Sequence, residues 1–182
     1  DTSYTVTNFS PAARIDYRFS DDKFLRVRYR GRTSQPSINQ LMPVNDNSDP
    51  LKQTVGNPNL DPEFTHSLST EYRSNNRRNF SFFSASADFS FTQNDIVAKK
   101  YYTEEGVQIS TYENADKNVY SASGRIMVNT PIAKSNFSVN SFTMVRYNNG
   151  YSYVMDAGDW TENETTNLNI SQMLRFTYRN DW

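Results

Sequence analysis

Apolar and polar residues alternate along most of this chain with a period of two, the spacing of a strand with one greasy and one wet face. From Ala13 to Phe19 the odd positions Ala13, Ile15, Tyr17 and Phe19 are apolar or aromatic, while Arg14, Asp16 and Arg18 are charged. A short turn at Ser20–Lys23 follows, and Leu25, Val27 and Tyr29 then oppose Arg26, Arg28 and Arg30, so the two runs read as a hairpin. Further alternating runs put Phe64, Leu68 and Tyr72 on one face, then Phe83, Ala85, Ala87, Phe89 and Phe91. Next come Tyr120, Ala122, Gly124, Ile126 and Val128, a less regular run from Phe137 to Tyr147, and last Leu168, Ile170, Leu174, Phe176 and Tyr178. Phe80 and Phe82 are out of phase with their run, which suggests a bulge or an interfacial start.

The connections alternate in length. Short turns are expected at Ser20–Lys23, Ser74–Arg78 and Pro131–Ser135, and long polar regions at Gln35–Phe64, Gln93–Asn118 and Asn148–Glu164. The first long region holds five of the seven prolines, so neither a helix nor a central strand is expected to run through it. Alternating loop lengths along about eight strands mark an antiparallel up-and-down meander whose two ends face different surroundings. Strands of about ten residues suit a transmembrane β-barrel, all-β and incomplete, better than a soluble sandwich, in which the aromatic faces would pack between two sheets. Aromatics near the strand ends, including Tyr17, Phe19, Phe24, Tyr29, Phe64, Tyr72, Phe80, Tyr147, Phe176 and Tyr178, are expected to form two interfacial girdles.

Composition agrees with that pattern. Of the 182 residues 36% are hydrophobic yet 14% are aromatic, so the chain is too rich in Tyr and Phe for a disordered segment. A net charge of -1 argues against a nucleic-acid binder, and the lack of cysteine removes disulfides and thiolate metal sites. No run approaches the roughly 18 apolar residues of a spanning helix, which leaves strands as the route through a bilayer.

Candidate chemistry is sparse. His66, the one histidine, lacks a local carboxylate and nucleophile to work with, and an interfacial or structural role fits it better. Asp46, Asn47 and Asp49, and Asp156, Asp159, Glu162 and Glu164, are oxygen-rich, but their spacing is not that of an EF-hand and solvated loop is the better reading. No phosphate loop or nucleophile elbow is present, so neither enzymatic activity, nor a metal, nor a cofactor is expected. Arg14, Arg18, Arg26, Arg28 and Arg30 make a basic face on two adjacent strands. They suit an anionic solute or an acidic plug, or they pair with Asp16 and Glu71 and merely fill a polar interior.

One stretch carries a resemblance. The order Asn8-Phe9-Ser10-Pro11, Tyr29-Arg30-Gly31-Arg32, Gln35-Pro36-Ser37-Ile38-Asn39-Gln40-Leu41-Met42-Pro43-Val44, Ser48-Asp49-Pro50-Leu51 and Val55-Gly56-Asn57-Pro58-Asn59-Leu60-Asp61-Pro62-Glu63 resembles the outer-membrane β-barrel domain of TonB-dependent receptors. The resemblance implies a barrel of about 22 strands in the cell outer membrane, closed by a plug and driven through TonB to import a scarce, small nutrient. It places Pro36, Gln40, Leu41, Pro43, Gly56, Asn57, Pro58, Leu60, Pro62 and Glu63 on a loop that faces ligand and plug. The partners it implies are the lipid bilayer, the TonB system through a plug domain, and a surface lipoprotein. About eight strands are roughly a third of such a barrel, so residues 1–182 are expected to be a piece of one barrel domain. Two other readings stay open: a self-contained eight-stranded anchor or adhesin, and a soluble carbohydrate-binding β-sandwich.

Overall fold

The computed structural model describes residues 8–43, 46–132, 135–156 and 158–179; Val44 and the side chains of Asp46, Asn47 and Asp156 lie outside that description. In chain order the elements are β1 (Ala12–Ser20), β2 (Lys23–Ser34), the short helix α1 (Ile38–Leu41), β3 (Asp46–Asp49), β4 (Lys52–Thr54), β5 (Glu63–Asn76), β6 (Ser81–Gln93), β7 (Ile96–Tyr102), β8 (Gln108–Asn114), β9 (Val119–Pro131), β10 (Phe137–Asp156) and β11 (Asp159–Tyr178). All the strands belong to one sheet. A soluble sandwich needs two sheets packed face to face, so that reading is excluded for the described residues.

Seven strands, β1-β2-β5-β6-β9-β10-β11, pair as consecutive antiparallel neighbours and make the wall, close to the number expected. The alternating pattern dictates the two faces, because residues directly opposite in an antiparallel pair share a side of the sheet. One row runs Ile15, Val27, Thr70, Ala87, Gly124, Val145, Ile170, all uncharged. The adjacent row on the other face runs Asp16, Arg26, Glu71, Ser86, Arg125, Met144, Ser171.

The apolar face is open to its surroundings. Ile15, Leu168, Ile170 and Phe176 are each more than 60% exposed, and the buried hydrophobic residues, Leu60, Val97, Ile109 and Ala115, all lie in the long loops. A wall without a core of its own needs an apolar medium against its outer face. Aromatic bands bracket that face. Tyr17, Phe19, Tyr72 and Phe83 stand in contact near the short turns, and Tyr29, Phe64, His66, Phe91 and Tyr120 near the long loops. From Phe83 to Phe91 the strand advances about 26 Å, or about 20 Å across the sheet at a tilt near 40°, the scale of an outer-membrane hydrocarbon layer.

The short-turn end is tied across strands. Asn75 donates its N–H to the Asp22 carbonyl at 2.8 Å, and Arg77 meets the Asp22 carboxylate at 2.9 Å. No bulge accompanies Phe80 and Phe82: the β5–β6 register is unbroken from Asn76–Ser81 onward, and Phe80 sits in the turn at φ 53°, 85% exposed.

The expected third loop is a strand pair instead. β10 and β11 stay in register from Phe137–Tyr178 to Asp156–Asp159, so Asn148–Glu164 is a hairpin that projects beyond the wall. Polar residues on both faces of that segment hide its period from a hydropathy reading. β1 pairs with β2 alone and β11 with β10 alone, so the sheet stays unclosed among the described residues.

Candidate functional site

The long-loop end is built as a crown, and the proline-rich segment is its fastener. Ser37 caps α1: its hydroxyl accepts the Gln40 N–H at 3.3 Å while its own N–H donates to Gln40 Oε1 at 2.8 Å. Pro36 precedes this cap and Pro43 follows the helix end at Met42, where each proline disfavours further helix. The last turn is then read by the next segment. Gly56 donates to the Met42 carbonyl at 3.0 Å, and Asn57 to the Gln40 carbonyl at 2.6 Å. A Cβ at Gly56 would lie 2.3 Å from the Met42 oxygen and 2.8 Å from the Gln40 oxygen, so only glycine fits this crossing.

Asn57 also fixes the turn after it. Its Oδ1 accepts the Asn59 N–H at 2.9 Å, and its Nδ2 reaches the Tyr112 carbonyl of β8 at 2.9 Å. Leu60 is buried beyond Pro58. Asn114 takes both polar groups of Asp61, accepting its N–H at 2.8 Å and donating to its carbonyl at 2.9 Å, and donates also to the Asn94 carbonyl at 2.7 Å. The Glu63 carboxylate accepts the Ile96 N–H at 2.9 Å.

Backbone ladders extend these contacts. β4 runs parallel to β8 over Lys52–Gln108, Gln53–Ile109 and Thr54–Ser110; β8 pairs with β7, and β7 joins β10 in parallel at Tyr153–Lys99 and Val154–Lys100. Lys99 pairs with Glu113 and lies 4.2 Å from the centre of the Trp160 ring. Lys117 meets Glu162 at 2.6 Å, which holds the ammonium pKa above its ordinary value. Asp95 has its carboxyl pushed up by burial, and the charge of Glu63 adds to the shift.

Thus Gln40, Gly56, Asn57 and Glu63 each make a loop contact, Leu60 is buried and Leu41 half-buried in the same loop, and Pro36, Pro43, Pro58 and Pro62 stiffen the chain between them. The residues across the crossing, Tyr112 bound by Asn57, Ile96 bound by Glu63, and Asn114, which binds Asp61 and Asn94, carry no local signature; only the positive φ of Asn94, at 55°, is a turn that its residue type hints at.

On the polar face the five predicted arginines divide. Arg14 and Arg26 share Asp16, the latter at 2.6 Å, and Arg26 also approaches Glu71 at 3.7 Å. Arg73 takes the second Glu71 oxygen at 2.6 Å, and Arg125 meets Asp88 at 3.1 Å. Arg18, Arg28 and Arg30 have no ion-pair partner among the described residues. His66 joins the aromatic band, 4.4 Å from the Phe91 ring centre and hydrogen-bonded to the Tyr29 hydroxyl at 2.8 Å. Among the acidic loop residues, Asp49 accepts the Leu51 N–H, Glu162 holds Lys117, and Glu164 accepts from the Tyr151 hydroxyl.

A sheet with an uncharged outer face between aromatic bands, a charged inner face, short turns at one end and a knit crown at the other is the wall of a β-barrel that sits in a bilayer. The chain belongs to the outer membrane protein beta-barrel family, whose model matches residues 1–182. It is therefore a component of the cell outer membrane, in contact with the lipid bilayer. Comparison with curated proteins finds no match.

Proposed function

We propose that this chain is part of the barrel domain of a TonB-dependent outer-membrane importer and works by transport rather than catalysis. The observation that carries the reading is the Gly56-Asn57-Pro58-Asn59-Leu60-Asp61-Pro62-Glu63 segment, which resembles those receptors in sequence and fastens the first long loop to the second. A fastened crown suits a receptor because a solute must find a preformed surface before it is drawn inward. Among the described residues the outer edges of β1 and β11 have no partner, which also favours a larger barrel over a self-contained anchor, since open backbone groups in lipid cost several kcal/mol each. In this reading energy comes from TonB through a plug inside the barrel, the cargo is a small scarce nutrient, and a surface lipoprotein is a fitting partner for the crown.

The test is binding of the purified C-terminal domain of TonB to the whole protein in detergent. Saturable binding that a competing TonB-box peptide removes is expected. A lack of binding, together with a whole-protein structure in which β1 pairs directly with β11, would sink the importer in favour of the anchor.

A further inference from the structure

We propose that Arg28 and Arg30, with Ser67 and Ser69 beside them, form an oxyanion-binding site on the lumenal wall. Cross-strand register provides the argument. Arg26 lies between Asp16 on β1 and Glu71 on β5, and it pairs with both. Two residues along the same strand, Arg28 lies between Arg14 and Ser69, and Arg30 between Ala12 and Ser67. Neither has a carboxylate on either side. The Arg14 guanidinium pairs along its own strand with Asp16, so its charge is matched where those of Arg28 and Arg30 are not.

Arg28 and Arg30 are exposed, about 7 Å apart along one face, and line an open groove of about 560 Å³ together with Arg14, Ser67 and Ser69. Two planar donor forks over a floor of small hydroxyls suit a carboxylate or phosphate group, which can accept bidentate bonds from guanidinium and single bonds from serine. Two like charges two residues apart on one face repel, so the unmatched Arg28 and Arg30 carry a cost that a bound anion offsets. The oxyanion has two sources: a solute inside the barrel, or an Asp or Glu side chain of a protein segment that fills it. The site depends only on this face lining the lumen, and not on TonB.

The experiment uses the whole protein in detergent at fixed ionic strength, with sodium citrate as the probe, and reads both binding by calorimetry and the thermal midpoint. Citrate binding that weakens about tenfold or more in Arg28→Gln/Arg30→Gln, and survives in Arg28→Lys/Arg30→Lys, supports the site with a solute as its source. If the parent ignores citrate, yet the Gln pair lowers the midpoint by several degrees and exposes a lumenal segment to protease while the Lys pair does neither, the site holds a protein carboxylate. The proposal is overturned if the Gln pair matches the parent in both measurements, or if Arg175→Gln, a lumenal arginine on β11, has the same effect. Should the double variant fail to assemble, Arg30→Gln alone is read against the same outcomes.

Discussion

At the scale of single residues, close approach and buried charge decide more than propensity does. Gly56→Ala drives a methyl group into the Met42 and Gln40 backbone, so the crossing must part, at a cost of about 1–3 kcal/mol to the crown. Hydrogen exchange in the whole protein should show lost protection at Gly56 and Asn57 and none lost in the wall; unchanged protection at those two amides contradicts this. Asp95 gives a pH dependence. Its folded-state pKa is raised above the ordinary 3.8, so the folded crown favours the protonated acid. That contribution is complete below about pH 4 and fades as pH rises through the raised value. The Ile96 and Ala115 amides beside it should therefore exchange more slowly in mild acid than at neutrality after correction for intrinsic rates. Asp95→Asn should flatten the difference. None of this is visible in the sequence, because Asp61 and Asn114, or Asn57 and Tyr112, are more than fifty residues apart and asparagine does not announce its partner.

At the scale of elements, legibility followed the apolar face. β1, β2, β5, β6 and β9 could be read from alternation because one side of each meets lipid and the other water. The prolines of the first long loop predict neither helix nor central strand there, and the structure differs: α1 is a single turn between Pro36 and Pro43, and the three-residue β4 pairs on both sides between Pro50 and Pro58, each short enough to fit between prolines and to escape any periodicity. The projecting part of the β10–β11 hairpin was missed because both its faces are wet, and alternation disappears where nothing apolar is required. What steadies that projection is side-chain packing on β7. Trp160→Ala removes both the Lys99 contact and the edge contact of Tyr101, 6.2 Å between ring centres, at a cost of about 1–2 kcal/mol. Faster proteolysis of the hairpin tip, with the β9–β10 pairing unaffected, is the expected result; an unchanged cleavage rate would place its stability elsewhere.

At the scale of the molecule, the wall has two unlike sides, and each responds differently to a new charge. Val145 lies between Phe137 and Tyr147 on the uncharged face of β10, and Met144 beside it shares the charged face with Arg125. Val145→Arg should destabilise the whole barrel in bilayers by about 2–4 kcal/mol, while Met144→Arg should be close to neutral. Equal effects on chemical unfolding would reverse the assignment of faces.

The pairing of β10 has a mechanical consequence. One edge of this strand holds β9 as far as Asn148 and then, a few residues on, β7 in the opposite sense at Tyr153 and Val154. The membrane-embedded rungs and the outermost loops thus hang from a single spine. The seam that joins the loops to this spine is only two rungs long, at β7, and the seam that joins the first long loop to the second, β4 to β8, is three; both are parallel, and parallel rungs are slightly weaker than antiparallel ones. If the outer opening widens, it tears first along those seams, as local unfolding of a few backbone bonds, while the wall below stays whole.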